Sequence, residues 1–267
     1  MIPSVMNNLH RLNLYFIFWR YTRHRFRVER GKAWMSEKTL LVDRLISEIR
    51  EGKYKPNDKL PSENELADLY KVPRMVIRKV YERLQELGYI FSKQGKGSYV
   101  QNQKLQIPLI LTGDVSFTEK MKELKYDSRT MNLSCEIIPY DSSIYHSLKV
   151  KREDSVYKIS RLRIVEDCPI AIHTSYLSKS LFENIEKDGK EIHSIFHYYR
   201  QQGYTDFQAT RSQLSVVFPS KVERDILKCP SLVPLLLLES GCVDKITGTM
   251  LEYSKIMYRS DCFTYVI

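Results

Sequence analysis

Two arginines set the first chemical expectation. Arg161 and Arg163 alternate within the run ISRLRIV, and alternate residues of a strand point to one face, so the pair can clamp a phosphate or carboxylate. Ser116-Phe117-Thr118-Glu119 reads as a capping box opening a helix, where free amides and the positive dipole end favour an anion. Glu252 and Tyr258, near the C-terminus, can accept and donate hydrogen bonds to hydroxyls or an amine. Each feature also fits a plainer role. A capping box starts a helix, an R-x-R pair sits on a solvated sheet face, and a Glu or Tyr near a terminus lies at the surface.

A second constellation lies earlier in the chain. Arg74 and Arg78 are four apart, so on a helix both project from one face, opposite a stripe of Ile77, Val80, Tyr81, Leu84 and Leu87. Arginines on the exposed N-terminal half of a helix can enter the DNA major groove and hydrogen-bond guanine O6 and N7. They also fit the solvated face of an ordinary three-helix bundle. The loop Ser92-Lys93-Gln94-Gly95-Lys96-Gly97 adds two glycines that permit a tight turn near a phosphate and two lysines that supply charge.

No catalytic constellation is present: there is no G-x-S-x-G, no GxxxxGK[ST] and no H-E-x-x-H, and the six histidines are dispersed. His193 and His197 are four apart but lack a third ligand nearby, so they read as ordinary helix residues. Five cysteines without C-x-x-C spacing fit a reducing cytosol better than a disulfide scaffold. The expectation is therefore no cofactor, no metal and no enzyme activity.

The elements that must position these residues follow from periodicity. A first helix runs from Thr39 to Gly52, and Ser62 with Glu65 forms a capping box for a second. After Lys71-Val72-Pro73 a third helix spans Arg74 to Leu87, and Tyr89-Ile90-Phe91 and Ser98-Tyr99-Val100 read as short strands around the glycine loop. Helix, helix-turn-helix and hairpin in that order make a winged helix. Beyond residue 105, strands are expected at Leu133 to Tyr140, Val156 to Val165, Ile170 to Tyr176, Ala209 to Phe218, Val233 to Val243, Met250 to Tyr258 and Phe263 to Ile267. Helices are expected at Ser116 to Lys125, Ser142 to Leu148, Ile192 to Gln202 and Ser220 to Leu227. Consecutive strands with segregated helices argue for an α+β domain around a largely antiparallel sheet.

Charge divides the chain the same way. Residues 1–34 carry seven basic side chains and one acid, residues 35–104 carry 14 basic and 10 acidic, and residues 105–267 carry 21 of each. A basic small domain beside a neutral larger one suggests that only the first hundred residues meet a polyanion. The segment LNLYFIFW, residues 12–19, is too short to span a bilayer, which takes about 20 apolar residues. Residues 1–34 read as a lipid- or DNA-touching arm, a disordered extension, or sequence upstream of a start at Met35, with the last two favoured. The expected organisation is that extension, a winged helix-turn-helix over 35–101, a linker at 102–110 and a larger neutral domain over 111–267.

The stretch LPSENELADLYKVPRMVIRKVYERLQELGYIFSKQGKGSYV closely resembles the DNA-binding domain of the GntR-type bacterial transcription regulators. The resemblance implies that Arg74, Met75, Val76 and Arg78 lie on the recognition helix against DNA, with Gln94, Gly95 and Lys96 at the wing tip. It places Ser62 and Glu63 at the start of the second helix near the backbone. Asn64 stands where many members have arginine, and Pro73 where Ser or Thr caps the recognition helix, a loss of about 1 kcal/mol locally, although proline suits a first turn.

The segments SFTEKM, ISRLRIVEDCPIAIHTSYL and SLVPLLLLESGCVDKITGTMLEYSKIMYRSDCFTYVI resemble, in order, the UTRA effector-sensing domain of the HutC subfamily, a chorismate-lyase-like fold. That likeness implies a small anionic effector, commonly a phosphorylated sugar, held by Ser116, Phe117, Thr118, Arg161, Arg163, Ser175, Tyr176, Glu252 and Tyr258. His173 and Ile172 fall where relatives often place an acid. The whole then implies a cytoplasmic, homodimeric repressor on operator DNA, without membrane contact, with a carboxylate-processing enzyme as the alternative.

Overall fold

The structure is a computed structural model that describes residues 37–101, 107–109 and 116–265 of the 267-residue chain. The basic tail with LNLYFIFW and most of the expected linker lie outside those residues.

The first unit is three helices and a hairpin. Helix α1 (Glu37–Arg50) buries Leu41, Val42 and Leu45, α2 (Glu63–Tyr70) buries Leu66 and Ala67, and α3 (Arg74–Glu86) buries Ile77, Val80, Tyr81 and Leu84. The three stripes form one core, closed by Ile90 and Val100. Ser62 caps α2 reciprocally: its Oγ accepts from the Glu65 amide at 3.2 Å, and its own amide donates to the Glu65 carboxylate at 2.6 Å. Pro73 opens α3 with no side-chain cap, as its chemistry requires. Strands β1 (Ile90–Lys93) and β2 (Gly97–Val100) pair antiparallel, and Lys59 bridges to Tyr99 as a third rung.

In the second unit the order is β3 (Ile107–Leu109), α4 (Phe117–Glu123), β4 (Ser128–Ile137), α5 (Ser142–Leu148), β5 (Val156–Val165), β6 (Cys168–Ser178), α6 (Ile185–Asp188), α7 (Ile195–Gln201), β7 (Phe207–Ala209), β8 (Gln213–Val217), α8 (Lys221–Leu227), β9 (Leu235–Asp244), β10 (Met250–Arg259) and β11 (Phe263–Tyr265). Strands β4 to β10 form an antiparallel sheet in the order β4-β5-β6-β10-β9, with β7 and β8 both on the outer edge of β9. The strand expected from Ala209 to Phe218 is thus two short strands, broken at residues 210–212. Its neighbour explains the break. Thr210 crosses close over Gly241, where an added Cβ would sit 2.7 Å from the Thr210 Oγ1. β3, inside the expected linker, pairs in parallel with β11.

The β5–β6 turn places Glu166 and Asp167 at φ 49° and 62°, the two positive φ values that a tight hairpin matching strand twist needs. That turn fixes the register Arg161↔His173 and Arg163↔Ala171. One sheet face is covered by α6 and α7 around Phe182, Ile185, Tyr198 and Tyr199 and, further along, by α4 around Met121. The other face is covered by α5 and α8. Among the described residues, no helix is long and apolar enough to cross a membrane, and no group of three or more His, Cys, Asp or Glu is placed to hold a metal.

The two units touch. The Leu232 amide donates to the Glu86 carbonyl at 2.9 Å, and Val233 packs against Gly88, whose φ is 77°.

Candidate functional site

At the N-terminal end, the capped start of α2, the start of α3 and the wing converge on one crevice. Ser62, Glu63, Arg74, Lys93, Gly95 and Lys96 all line it. Arg74 is exposed and its Nε donates to Glu63 at 2.8 Å; Arg78, also exposed, pairs with Glu82 at 3.4 Å. Met75 projects into solvent, whereas Val76 is half-buried against the helix core. Gly95 and Gly97 take φ 70° and 105°, conformations that cost glycine least, and they turn the wing back over Lys59. Lys93 lies 4.9 Å from the Tyr99 ring centroid, held against the hairpin. The surface is exposed and carries Lys59, Arg74, Lys93 and Lys96, suited to a phosphate backbone and base edges.

The larger domain holds a cavity of about 170 Å³ on the sheet face covered by α4, α6 and α7, far more than the roughly 10–15 Å³ that one water needs. Strand alternation builds its floor. Arg161 and Arg163 come from β5, His173 and Ser175 from β6, Glu252, Ser254, Ile256 and Tyr258 from β10, and Leu238, Ser240 and Cys242 from β9. Ser116 and Phe117 at the start of α4, and Ser194, Ile195 and Phe196 at the start of α7, form the walls. The two walls are tied outside by Arg200 to Glu119 at 3.2 Å.

The arginines here are almost fully buried, at 1% and 3% exposure. Arg161 donates to the Ser175 hydroxyl, and Arg163 donates to Thr130 and, at 2.9 Å, to the His193 carbonyl. Phe117 stacks under the Arg163 guanidinium at 5.2 Å. Nε and one Nη of Arg161, and Nε of Arg163, have no hydrogen-bond partner. Burial disfavours the charged forms. It lowers Arg161, and together with the neighbouring Arg161 charge it pushes Arg163 down to about 9. Burial, then the two guanidinium groups, hold His173 well below its ordinary value, so its ring is neutral, with Nε2 unpartnered. Its ring meets those of Phe117 and Tyr258 edge-on at 5.3 and 5.6 Å. Glu252 is 4% exposed and accepts from the Tyr199 hydroxyl at 2.8 Å; burial, then the Glu252 charge, holds that phenol well above its ordinary value and keeps it a donor. A pocket with orphaned cationic donors is pre-formed for an anion, because orphaned buried donors carry an unrecovered desolvation cost.

Comparison with known proteins settles the family. Residues 123–264 match the UTRA domain, and residues 38–100 match the bacterial regulatory proteins of the gntR family. The chain belongs to the gntR family and carries a UTRA domain. It is 31% identical over 188 residues to the uncharacterized HTH-type transcriptional regulator YurK of Bacillus subtilis, spanning 69% of this chain and 76% of that protein. It is 24% identical over 228 residues to the mannosyl-D-glycerate transport/metabolism system repressor MngR of Escherichia coli, spanning 85% and 93%. The crystal structure of PhnF from Mycobacterium smegmatis superposes with a TM-score of 0.53 at 20% identity, covering 85% of this chain and 97% of that one, a likeness of fold.

As a gntR-family member the chain is a DNA-binding transcriptional regulator rather than an enzyme. Of the residues its sequence singles out, the structure brings Ser62, Glu63, Arg74, Gly95 and Lys96 to one crevice, with Met75 and Arg78 exposed on the same helix and Gln94 exposed in the wing turn. Val76 is set back, because it packs on the core. Ser116, Phe117, Arg161, Arg163, Ser175, Glu252 and Tyr258 share the cavity. Thr118 and Tyr176 do not. Thr118 is exposed on the outer side of α4, and Tyr176 points to the opposite sheet face, stacked on Tyr253 at 5.9 Å. The plain surface readings of the R-x-R pair and of Glu252 fail, since all three are buried. Lys120, Tyr199, Ser240, Cys242 and Ser254 were missed. The period-2 alternation from Glu252 to Ser254 and Tyr258 was a usable signal; the rest needed the strand register.

Proposed function

We propose that this gntR-family regulator is a homodimeric repressor, released from its operator when a small anion, of the phosphorylated-sugar class, enters the cavity. The observation that carries this reading is the pair of buried arginines with unpartnered donors on β5 and the Glu252 carboxylate, which accepts from Tyr199, on β10 of the same cavity floor. The first group suits a phosphate and the second suits hydroxyls, and their coexistence in one cavity favours a polyhydroxylated monoanion or dianion. The relative whose name specifies mannosyl-D-glycerate metabolism supports a sugar-related effector. Residues 35–101 then act as the DNA-binding domain, 102–110 as the connection and 111–267 as the sensor.

Dimerisation is supported by an apolar stripe. Leu214, Val216 and Phe218 are exposed along and just beyond the edge strand β8, continued by Val222 on α8. Two winged helices related by a two-fold axis read a pseudo-palindromic site, and binding to chromosomal DNA is work for the cytoplasm. The contact of Leu232 with the C-terminal end of α3 supplies a route by which the cavity strand β9 reaches the recognition helix.

The test is a thermal-shift screen with sugar phosphates, amino-sugar phosphates and small organic anions, followed by gel shifts on DNA upstream of the gene. A binder at 100 times its Kd stabilises the fold by about 2.7 kcal/mol and is expected to release the DNA. Absence of specific DNA binding, or a ligand that stabilises the protein without weakening the complex, would overturn the reading.

A further inference from the structure

Outside the cavity, one buried cluster has reactive chemistry that effector binding does not use. Cys168, at the start of β6, and Cys262, in the turn after β10, belong to the same packed cluster, where the ion-paired Arg259 and Asp261 contact one sulfur each. Arg259 sits beside them with Nη1 3.6 Å from the Cys168 Sγ. The guanidinium is fixed by four hydrogen bonds: Nε and Nη2 donate to Asp261 at 3.1 and 2.8 Å, and Nη1 donates to the carbonyls of Pro169 and Leu227, each at 3.1 Å. Cys262 is buried, and its Sγ lies 3.7 Å from Asp261 Oδ1, while Cys168 is half-buried.

We propose that Cys168 and Cys262 form an oxidisable dithiol, with Cys168 as the attacking sulfur and Cys262 as the resolving one, and with hydrogen peroxide or an organic hydroperoxide as the oxidant. The two sulfurs have been given unequal roles by their surroundings. The neighbouring Cys262 thiol and the charge of Arg259 lower the Cys168 thiol, against opposing burial; Cys262, facing Cys168, buried and beside Asp261, is raised. A thiolate beside an arginine, partly exposed and next to a protonated thiol, is the arrangement that reacts with peroxides. Cys135, Cys229 and Cys242 each have a thiol raised by burial.

The chemistry balances. The Cys168 thiolate attacks one peroxide oxygen, the O–O bond breaks, hydroxide leaves and Cys168 becomes a sulfenic acid. The Cys262 sulfur then displaces the sulfenic oxygen, its proton leaving with that oxygen as water, and the S–S bond forms. Two electrons pass from the sulfurs to one peroxide, which ends as water and hydroxide. Because a disulfide carries no charge, Arg259 then keeps Asp261 as its one anionic partner among these groups.

The test uses the full chain, treated with hydrogen peroxide, then alkylated and read by intact mass and peptide mapping. The expected result is a mass about 2 Da lower before alkylation, two fewer alkylated thiols after it, a Cys168–Cys262 linked peptide and reversal by dithiothreitol. Iodoacetamide at pH 7 is expected to label Cys168 at least about tenfold faster than Cys229 or Cys242, as their thiolate fractions require. Cys262→Ser should accumulate a sulfenic acid at Cys168 that a dimedone probe traps, and Cys168→Ser should lose the mass change. A folded wild-type protein whose Cys168 survives peroxide, links to another cysteine or bridges two chains would overturn the proposal, and that result needs no variant to fold.

Discussion

The two ends of the molecule use the same side chain in opposite ways. On α3 the arginines are solvated and each rests on a carboxylate, Arg74 on Glu63 and Arg78 on Glu82. In the cavity Arg161 and Arg163 are stripped of water and left with donors unmatched. Exposed pairs are worth about 0–1 kcal/mol, so the α3 arginines can exchange a carboxylate for a base edge or phosphate at little cost. They remain adaptable, with specificity set by what they meet. The buried pair has already lost its hydration in the folded protein, so an arriving anion recovers that loss. On the proposed function, readout is left soft at the winged helix and pre-set at the cavity.

The contrast is broken most severely at Arg161. Arg161→Met is expected to abolish the thermal shift caused by anionic effectors, a loss of about 2–5 kcal/mol in binding, while the ligand-free protein melts at or above the wild-type temperature because two buried, unpartnered donors have gone. Calorimetric unfolding with and without ligand checks both halves; a destabilised apo protein would show that Arg161 is structurally required. Arg74→Ala and Arg78→Ala come next, each expected to cost about 1–3 kcal/mol and to relax preference at one base. Gel shifts on operator variants decide it, and full discrimination in the double mutant would refute the assignment.

A third prediction uses pH. His173 is held neutral in the folded state, with its value well below that of the unfolded chain, near 6.5. A group with a depressed folded value contributes stability that is intact above about 6.5 and is lost as pH falls towards the folded value, at up to about 1.4 kcal/mol per pH unit. His173→Gln should flatten the fall of denaturant stability between pH 6.5 and 5, and an unchanged slope would deny His173 that role. The smallest effect is expected for Glu63→Gln, which frees Arg74 from its exposed partner. Operator affinity should move by about 0.2–1 kcal/mol, with a steeper salt dependence as repulsion from the DNA backbone is removed.

The winged helix was legible almost residue by residue, because its signals are local. Ser62 and Glu65 cap at fixed spacing, Arg74 and Arg78 share a helix face, and Gly95 and Gly97 mark a wing turn that takes positive φ. The sensor was legible only where chemistry ran along a single strand. Arg161 and Arg163 declare their common face by alternation, but that the face is buried depends on α4, α6 and α7 arriving over it. Thr118 and Tyr176 were misjudged for the same reason. Each stands next in sequence to a cavity residue, and adjacency in a helix or strand turns the next side chain away. Tyr199 and Glu252 lie 53 positions apart, and nothing local announces their hydrogen bond.

The meeting of Leu232 with the end of α3 bears on modular exchange of such regulators. Joining this sensor to a foreign winged helix at the connecting segment alone leaves the junction half made. The incoming domain must present a free carbonyl where Glu86 stands and a glycine at the place of Gly88, since an added Cβ would come within 2.8 Å of Val233. A hybrid that honours both is expected to transmit ligand occupancy, and one with alanine at that glycine should bind both DNA and effector yet answer one to the other weakly.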